Sequence, residues 1–308
     1  MADDAQVPES PAAPSEAVAS PAEEAPNAVT DPAAEAPDDA DDLRGFHFRR
    51  LLRKRVTLYA AGIPTVLIAV ALGIFGNLLW IPIILVLGLL ITMLVVFVIA
   101  SGKAESAFFE TYASQRGMSL SGKGSLPAAT PLLQKGDDRY GERILSGPLA
   151  DQLSGTLALY TYEDETTDSE GNRQTNYYRY TVGLCEVPEC AAHVPELYCR
   201  RKFGFKALEG FEDVFRKSER VELESEALDD RYEIFSGKGQ DENWLRQLFS
   251  PTFIVWLSES APKKFAFELV GGTLCCYVNG HKKSAAELDT MRGATAAVAQ
   301  RLREESVE

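Results

Sequence analysis

Cysteine and histidine are the residues of this chain best suited to hold a metal, and four of them lie close together. Cys185, Cys190, His193 and Cys199 read C-x4-C-x2-H-x5-C, potential zinc ligands within fifteen residues. Cys275 and Cys276 add two further thiols. A structural zinc site usually contains a tight C-x2-C turn, which is missing, and Cys185 and Cys199 fall in segments of strand composition where a small buried thiol is ordinary packing. The two expectations are therefore a metal-dependent enzyme or sensor built on this cluster, and plain burial.

A second motif, "GMSLSGKG" at residues 117–124, approaches the phosphate-binding loop G-x-x-x-x-G-K-[ST], with Gly117, Gly122 and Lys123 in place. Gly124 stands where the Mg²⁺-binding hydroxyl belongs, and Leu126-Pro127 follows where a helix should begin. The acidic stretch "EDETTDSEGN", residues 163–172, has Gly171 where a calcium loop has its glycine, but Thr166 and Tyr177 fall at the first and last ligand positions. It reads as a solvated hairpin turn. There is no G-x-S-x-G, H-E-x-x-H or G-x-G-x-x-G, and His47 and His281 lie in a basic cluster and a turn. Neither a catalytic nor a cofactor-binding set is expected.

The elements that must carry these residues fall into zones of different composition. Residues 1–43 hold 12 Asp or Glu and seven Pro without Lys or Arg, a composition that cannot bury enough apolar surface to fold. Residues 44–55 supply Arg44, Arg49, Arg50, Arg53, Lys54 and Arg55. Residues 56–102 contain no Asp, Glu, Lys, Arg or His. As one helix, residues 56–100 would measure about 67 Å at 1.5 Å per residue, whereas a bilayer core of about 30 Å takes about 20 residues. Two spans, about 56–75 and 79–100, joined by the turn dipeptide Gly76-Asn77, fit that arithmetic. The basic collar beside the first span and Lys103 after the second place both termini in the cytoplasm of a plasma (inner) membrane protein, with the collar resting on anionic lipid headgroups. A shallow hairpin dipping into one leaflet leaves the sides unchanged. The spans carry no charge, so they read as an anchor and not as a transport path.

Residues 103–308 carry 25 Lys or Arg against 33 Asp or Glu, in a chain of net charge −14. That balance excludes nucleic-acid binding, and the five cysteines suit a reducing cytosol. The spacing predicts a short helix over 104–116, an irregular Gly/Ser/Pro stretch to about residue 140, and a long hairpin from "GTLALYTYEDET" and "TNYYRYTVGLCEV". Strands follow at 193–202 and 220–236, then two short helices in tandem within 241–260. A second hairpin turns at Gly271-Gly272, and a last helix, about 284–305, opens with the capping box Ser284/Glu287. The fold class expected is α+β: a two-helix transmembrane hairpin, then one cytosolic strand-rich domain flanked by helices.

"YASQRGMSL", "LPAATPLLQKGD", "GTLALYTYE", "DENWLRQLFSPTFIVWL" and "FELVGGTL" give the chain, over roughly residues 105–305, a resemblance to bacterial two-span membrane proteins with a cytosolic domain of unknown function. The resemblance implies the architecture and carries no activity or site residues. The function expected is a membrane-anchored interaction or scaffold module, with a protein partner on the cytosolic domain. The alternatives are the metal-dependent reading of the Cys185–Cys199 cluster and an accessory subunit of a larger membrane complex.

Overall fold

A single helix, α1 (Ile81–Gln115), runs for 35 residues, about 52 Å at 1.5 Å per residue. The computed structural model describes residues 81–167, 171–202, 218–223 and 225–307. In the first part of α1, Val86, Leu90, Leu94 and Val98 are more than half exposed, and this stretch is long and apolar enough to cross a membrane. Four residues past its end the exposure reverses: Ala104, Phe108, Phe109 and Tyr112 are buried. The sequence spacing separates a span at 79–100 from a short helix at 104–116, and the structure joins them. Gly102 and Lys103 bring no cap, and the buried residues recur at helical spacing on one face, so nothing ends the helix before Gly117, whose φ is +64°. The expected first span (56–75), the turn at Gly76-Asn77, the collar and the acidic tail lie outside the described residues. One membrane-length helix is therefore shown, and a two-helix hairpin is not.

After α1 come β1 (Ser119–Ser121), α2 (Pro131–Gln134), β2 (Asp138–Ala150), β3 (Leu153–Thr167), β4 (Arg173–Glu186), a 3-10 turn (Pro188–Ala192) and β5 (Glu196–Arg201). Then follow β6 (Ser218–Arg220), α3 (Glu226–Asp229), β7 (Tyr232–Gly237), α4 (Glu242–Leu248), α5 (Pro251–Val255), β8 (Ala266–Val270), β9 (Thr273–Asn279) and α6 (Ala285–Val307). Among the described residues the strands form one antiparallel sheet in the order β1-β2-β3-β4-β9-β8-β5-β7-β6. The domain is α+β. The strand expected over 220–236 is interrupted, because Ser225 to Asp230 winds into α3.

The sheet is covered on both faces. On one, Leu145, Leu157, Phe267, Leu269 and Cys276 pack against Phe108 and Phe109 of α1 and Leu288, Met291, Val298 and Leu302 of α6. A single rung on this side crosses seven strands: Leu145, Leu157, Gly183, Cys276, Phe267, Cys199 and Ile234. Gly183 is required there, since a Cβ would stand 2.1 Å from Thr295 Oγ1 of α6. On the other face Leu132 and Leu133 of α2 cover Tyr160, Tyr162, Tyr180, Val182, Cys275 and Tyr277.

Candidate functional site

The four metal candidates do not meet. In the sheet order, β4 and β5 are separated by β9 and β8, three strand spacings or about 14 Å, so Cys185 and Cys199 cannot share an ion with bonds of about 2.3 Å. Cys190 sits in the 3-10 turn, its thiol donating to Leu302 O (3.4 Å) and accepting from Ser306 Oγ (3.2 Å). His193 is exposed and stacks on Trp244 with ring centres 5.8 Å apart. Among the described residues no three His, Cys, Asp or Glu side chains are placed to hold a metal. All five cysteines are free and buried. Burial pushes the Cys185 thiol up to about 12 and raises Cys199, Cys275 and Cys276 as well, which is the environment of an inert thiol.

The stretch that resembles a phosphate loop is spent on structure. Gly117 ends α1, Ser119–Ser121 pairs with Ser146–Ile144, and Lys123 Nζ lies 3.4 Å above the Tyr140 ring. In the acidic stretch, Glu163 to Thr167 belong to β3, paired with Tyr177 to Arg173; residues 168–170 lie outside the described residues.

Three polar arrangements that the motifs do not announce are built at the sheet. The deepest is Glu268, at the centre of β8 on the face covered by α2. Its cross-strand neighbours are Cys275 and Tyr198, and the Thr130–Gln134 segment closes over it. Leu132 N–H donates to Oε2 (3.0 Å) and the Tyr277 hydroxyl to Oε1 (3.3 Å). The Leu132 carbonyl in turn accepts from the Tyr160 hydroxyl (3.2 Å), so both ends of that backbone segment are held by side chains of the sheet. Burial raises the Glu268 carboxyl to about 7, against the opposing effects of Leu132 N–H, Thr130, Tyr277 and Lys135. Burial also lowers Lys135, with Asp164 and Glu268 opposing.

The second arrangement joins α1 to α6. Asp289 accepts from Tyr112 OH (3.0 Å), from Arg116 Nε (2.6 Å) and, shorter still, from Arg116 Nη2, a bidentate pair of the stronger kind. Burial alone would raise Asp289, but the hydrogen bonds from Arg116 and Tyr112 and the charge of Arg116 bring it below its ordinary value. Nearer the apolar segment, Lys283 Nζ reaches Glu105 (2.7 Å) and Arg143 Nη2 donates to Ser106 Oγ (3.2 Å). The third lies beside that contact. His281 Nε2 is 3.2 Å from Thr161 Oγ1 and 3.1 Å from Tyr160 O, and Nδ1 is 3.7 Å from Glu142. Burial lowers the His281 pKa while Glu142 works against it. The imidazole, braced by Thr161, the Tyr160 carbonyl and Glu142, positions the turn after β9.

No family model matches the chain, and no curated protein matches it. Among solved structures it is similar to the mycobacterial trehalose monomycolate transport factor A, TtfA, at 8% identity and a TM-score of 0.41, over 64% of this chain and 90% of that one.

Proposed function

We propose that the chain is a membrane-anchored interaction module: a multi-pass anchor in the plasma membrane, both termini in the cytoplasm, presenting the sheet domain to a protein partner on that side. The observation that carries the proposal is the joint between α1 and the sheet. An apolar helix of membrane length continues without a break into the core through Phe108, Phe109 and Tyr112, and is pinned by Arg116–Asp289 and Lys283–Glu105. Such a joint fixes the orientation of the domain, which serves a surface that must meet a partner at a set height and angle. The uncharged span and the basic collar at residues 44–55 support the side assignment. Crosslinking of the full chain in native membranes tests it: a different protein should be recovered repeatedly at the same domain residues. Recovery of no partner, or of this chain alone, would sink the proposal.

A further inference from the structure

Residues 125–136 cross the second face of the sheet as a loop pinned at both ends. Gly124 and Gly141 exchange N–H···O bonds of 2.9 and 2.7 Å, and Asp137 N–H donates to Glu163 O (2.8 Å). Gly136, at φ +80°, makes the turn into the second anchor, where a Cβ would stand 2.7 Å from Glu163 O. Between the anchors α2 is a single turn, closed by Leu133 N–H on Thr130 O and Lys135 N–H on Leu132 O, too short to hold its shape alone. What clamps it is the sheet beneath. Leu132 and Leu133 pack on the tyrosines, Leu132 N–H donates to Glu268, and the Leu132 carbonyl accepts from Tyr160. Arg139 adds an exposed bond to Gln134 O (2.7 Å).

The groups facing Glu268 come from every element around it. They are Tyr277 and Cys275 of β9, Tyr198 of β5, Tyr160 of β3 and Tyr180 of β4, and burial raises each of them above its ordinary value. All five therefore stay neutral where a carboxyl titrates. Lys135, with Asp164 near it, is the cation of the set; it favours the charged carboxyl, and burial outweighs it. Water entering beneath a lifted loop would remove the burial that takes Glu268 from 4.5 to about 7. Lifting is thus coupled to release of a proton. It becomes easier as pH rises from about 4.5 and levels off above about 7.

We propose that residues 125–136 are a proton-controlled strap, clamped onto the sheet while the Glu268 carboxyl carries its proton and released, with the face beneath it, when that carboxyl ionises. The pinned ends let the strap lift and return while the nine-stranded ladder stays paired. Release uncovers Tyr160, Tyr180, Tyr277 and Cys275, which the strap otherwise covers. The state of this face follows the pH around the domain, whichever partner the domain meets and whether or not α1 spans a membrane.

The test is hydrogen exchange of the full chain in detergent at pH 5 and pH 8, each rate divided by that of the unstructured peptide at the same pH. The amides of Thr130 to Lys135 should exchange well ahead of those of β9, at a rate that barely responds to mild urea, the mark of a local opening. Their protection should fall on the order of fifty-fold from pH 5 to pH 8. Glu268→Gln, which keeps an acceptor for Leu132 N–H and cannot ionise, should abolish that fall. Tyr160→Phe, which cuts the other tether and keeps the carboxyl, should lower strap protection several-fold at both pH values and leave their ratio unchanged. Strap protection equal to that of β9 would mean that the loop opens only with the whole domain. A wild-type protection independent of pH, a fall that survives Glu268→Gln, or a ratio lost in Tyr160→Phe would mean that Glu268 does not hold the strap. Any of these results overturns the proposal.

Discussion

Glu268, when ionised, holds its charge in the middle of a sheet covered on both faces, with the Leu132 amide and the Tyr277 phenol as its hydrogen-bond donors. Its folded-state pKa of about 7 stands above the ordinary 4.5, so protonation favours the folded state. That contribution is whole below about 4.5 and is lost as pH rises through about 7. Urea denaturation of the detergent-solubilised chain should show stability falling across that window, by about 1.4 kcal/mol per pH unit where the slope is steepest. Glu268→Gln should flatten the slope and raise stability at pH 8 by an amount on the order of 3 kcal/mol. Glu268→Ala should do the reverse of stabilising, because the Leu132 amide loses its acceptor, at about 1–3 kcal/mol. The thiols give a second prediction: an aromatic disulfide reagent should leave all five cysteines unreacted in the native chain and modify them on unfolding, and rapid native reaction of any one would contradict its burial. In the sequence "FAFELV" the alternation assigns Phe265, Phe267 and Leu269 to a core and leaves Glu268 to solvent. The signal for a second covered face was there in Ala266, Cys275 and Tyr277, which share the side of Glu268, but its cover, the α2 turn, is more than a hundred residues away in the chain.

Among the elements, β4 and α6 are matched at one point of closest approach. Gly183→Ala should destabilise the domain by about 1–3 kcal/mol or more through the clash with Thr295, and Thr295→Ala in the same chain should recover part of the loss; additive losses in this double-mutant cycle would show that the two do not touch. Asp289→Ala should cost about 1–3 kcal/mol, and hydrogen exchange should rise first around Tyr112–Arg116. The hairpins β3–β4 and β8–β9 and the capping box of α6, where Ser284 and Glu287 bond each other, are legible because their patterns are local. β2 is not legible. Its "DRYGERILSGPLA" is broken by bulges between Gly141 and Arg143 and between Pro148 and Ala150, and each bulge resets the alternation that a strand would otherwise show. The seam in α1 is hidden for the opposite reason: composition changes sharply at Lys103 while the backbone does not.

At the scale of the whole molecule, the helix and the domain are one continuous piece from Val86 to the core. The membrane-length helix was legible from the absence of charge over residues 56–102, and the α+β class from the strand and helix patterns. The covered second face was not, because long-range pairing leaves no local period. A helix that is both anchor and core element has a phase as well as a length. Inserting one alanine between Ser101 and Gly102 would turn the domain by about 100° about the helix axis and lift it by about 1.5 Å; four would lift it by about 6 Å and bring it back to within about 40° of its starting direction. Partner crosslinking scored against insert length should therefore oscillate, weak at two residues and partly restored at four, as it would for a bit on a drill shaft and not for a float on a tether.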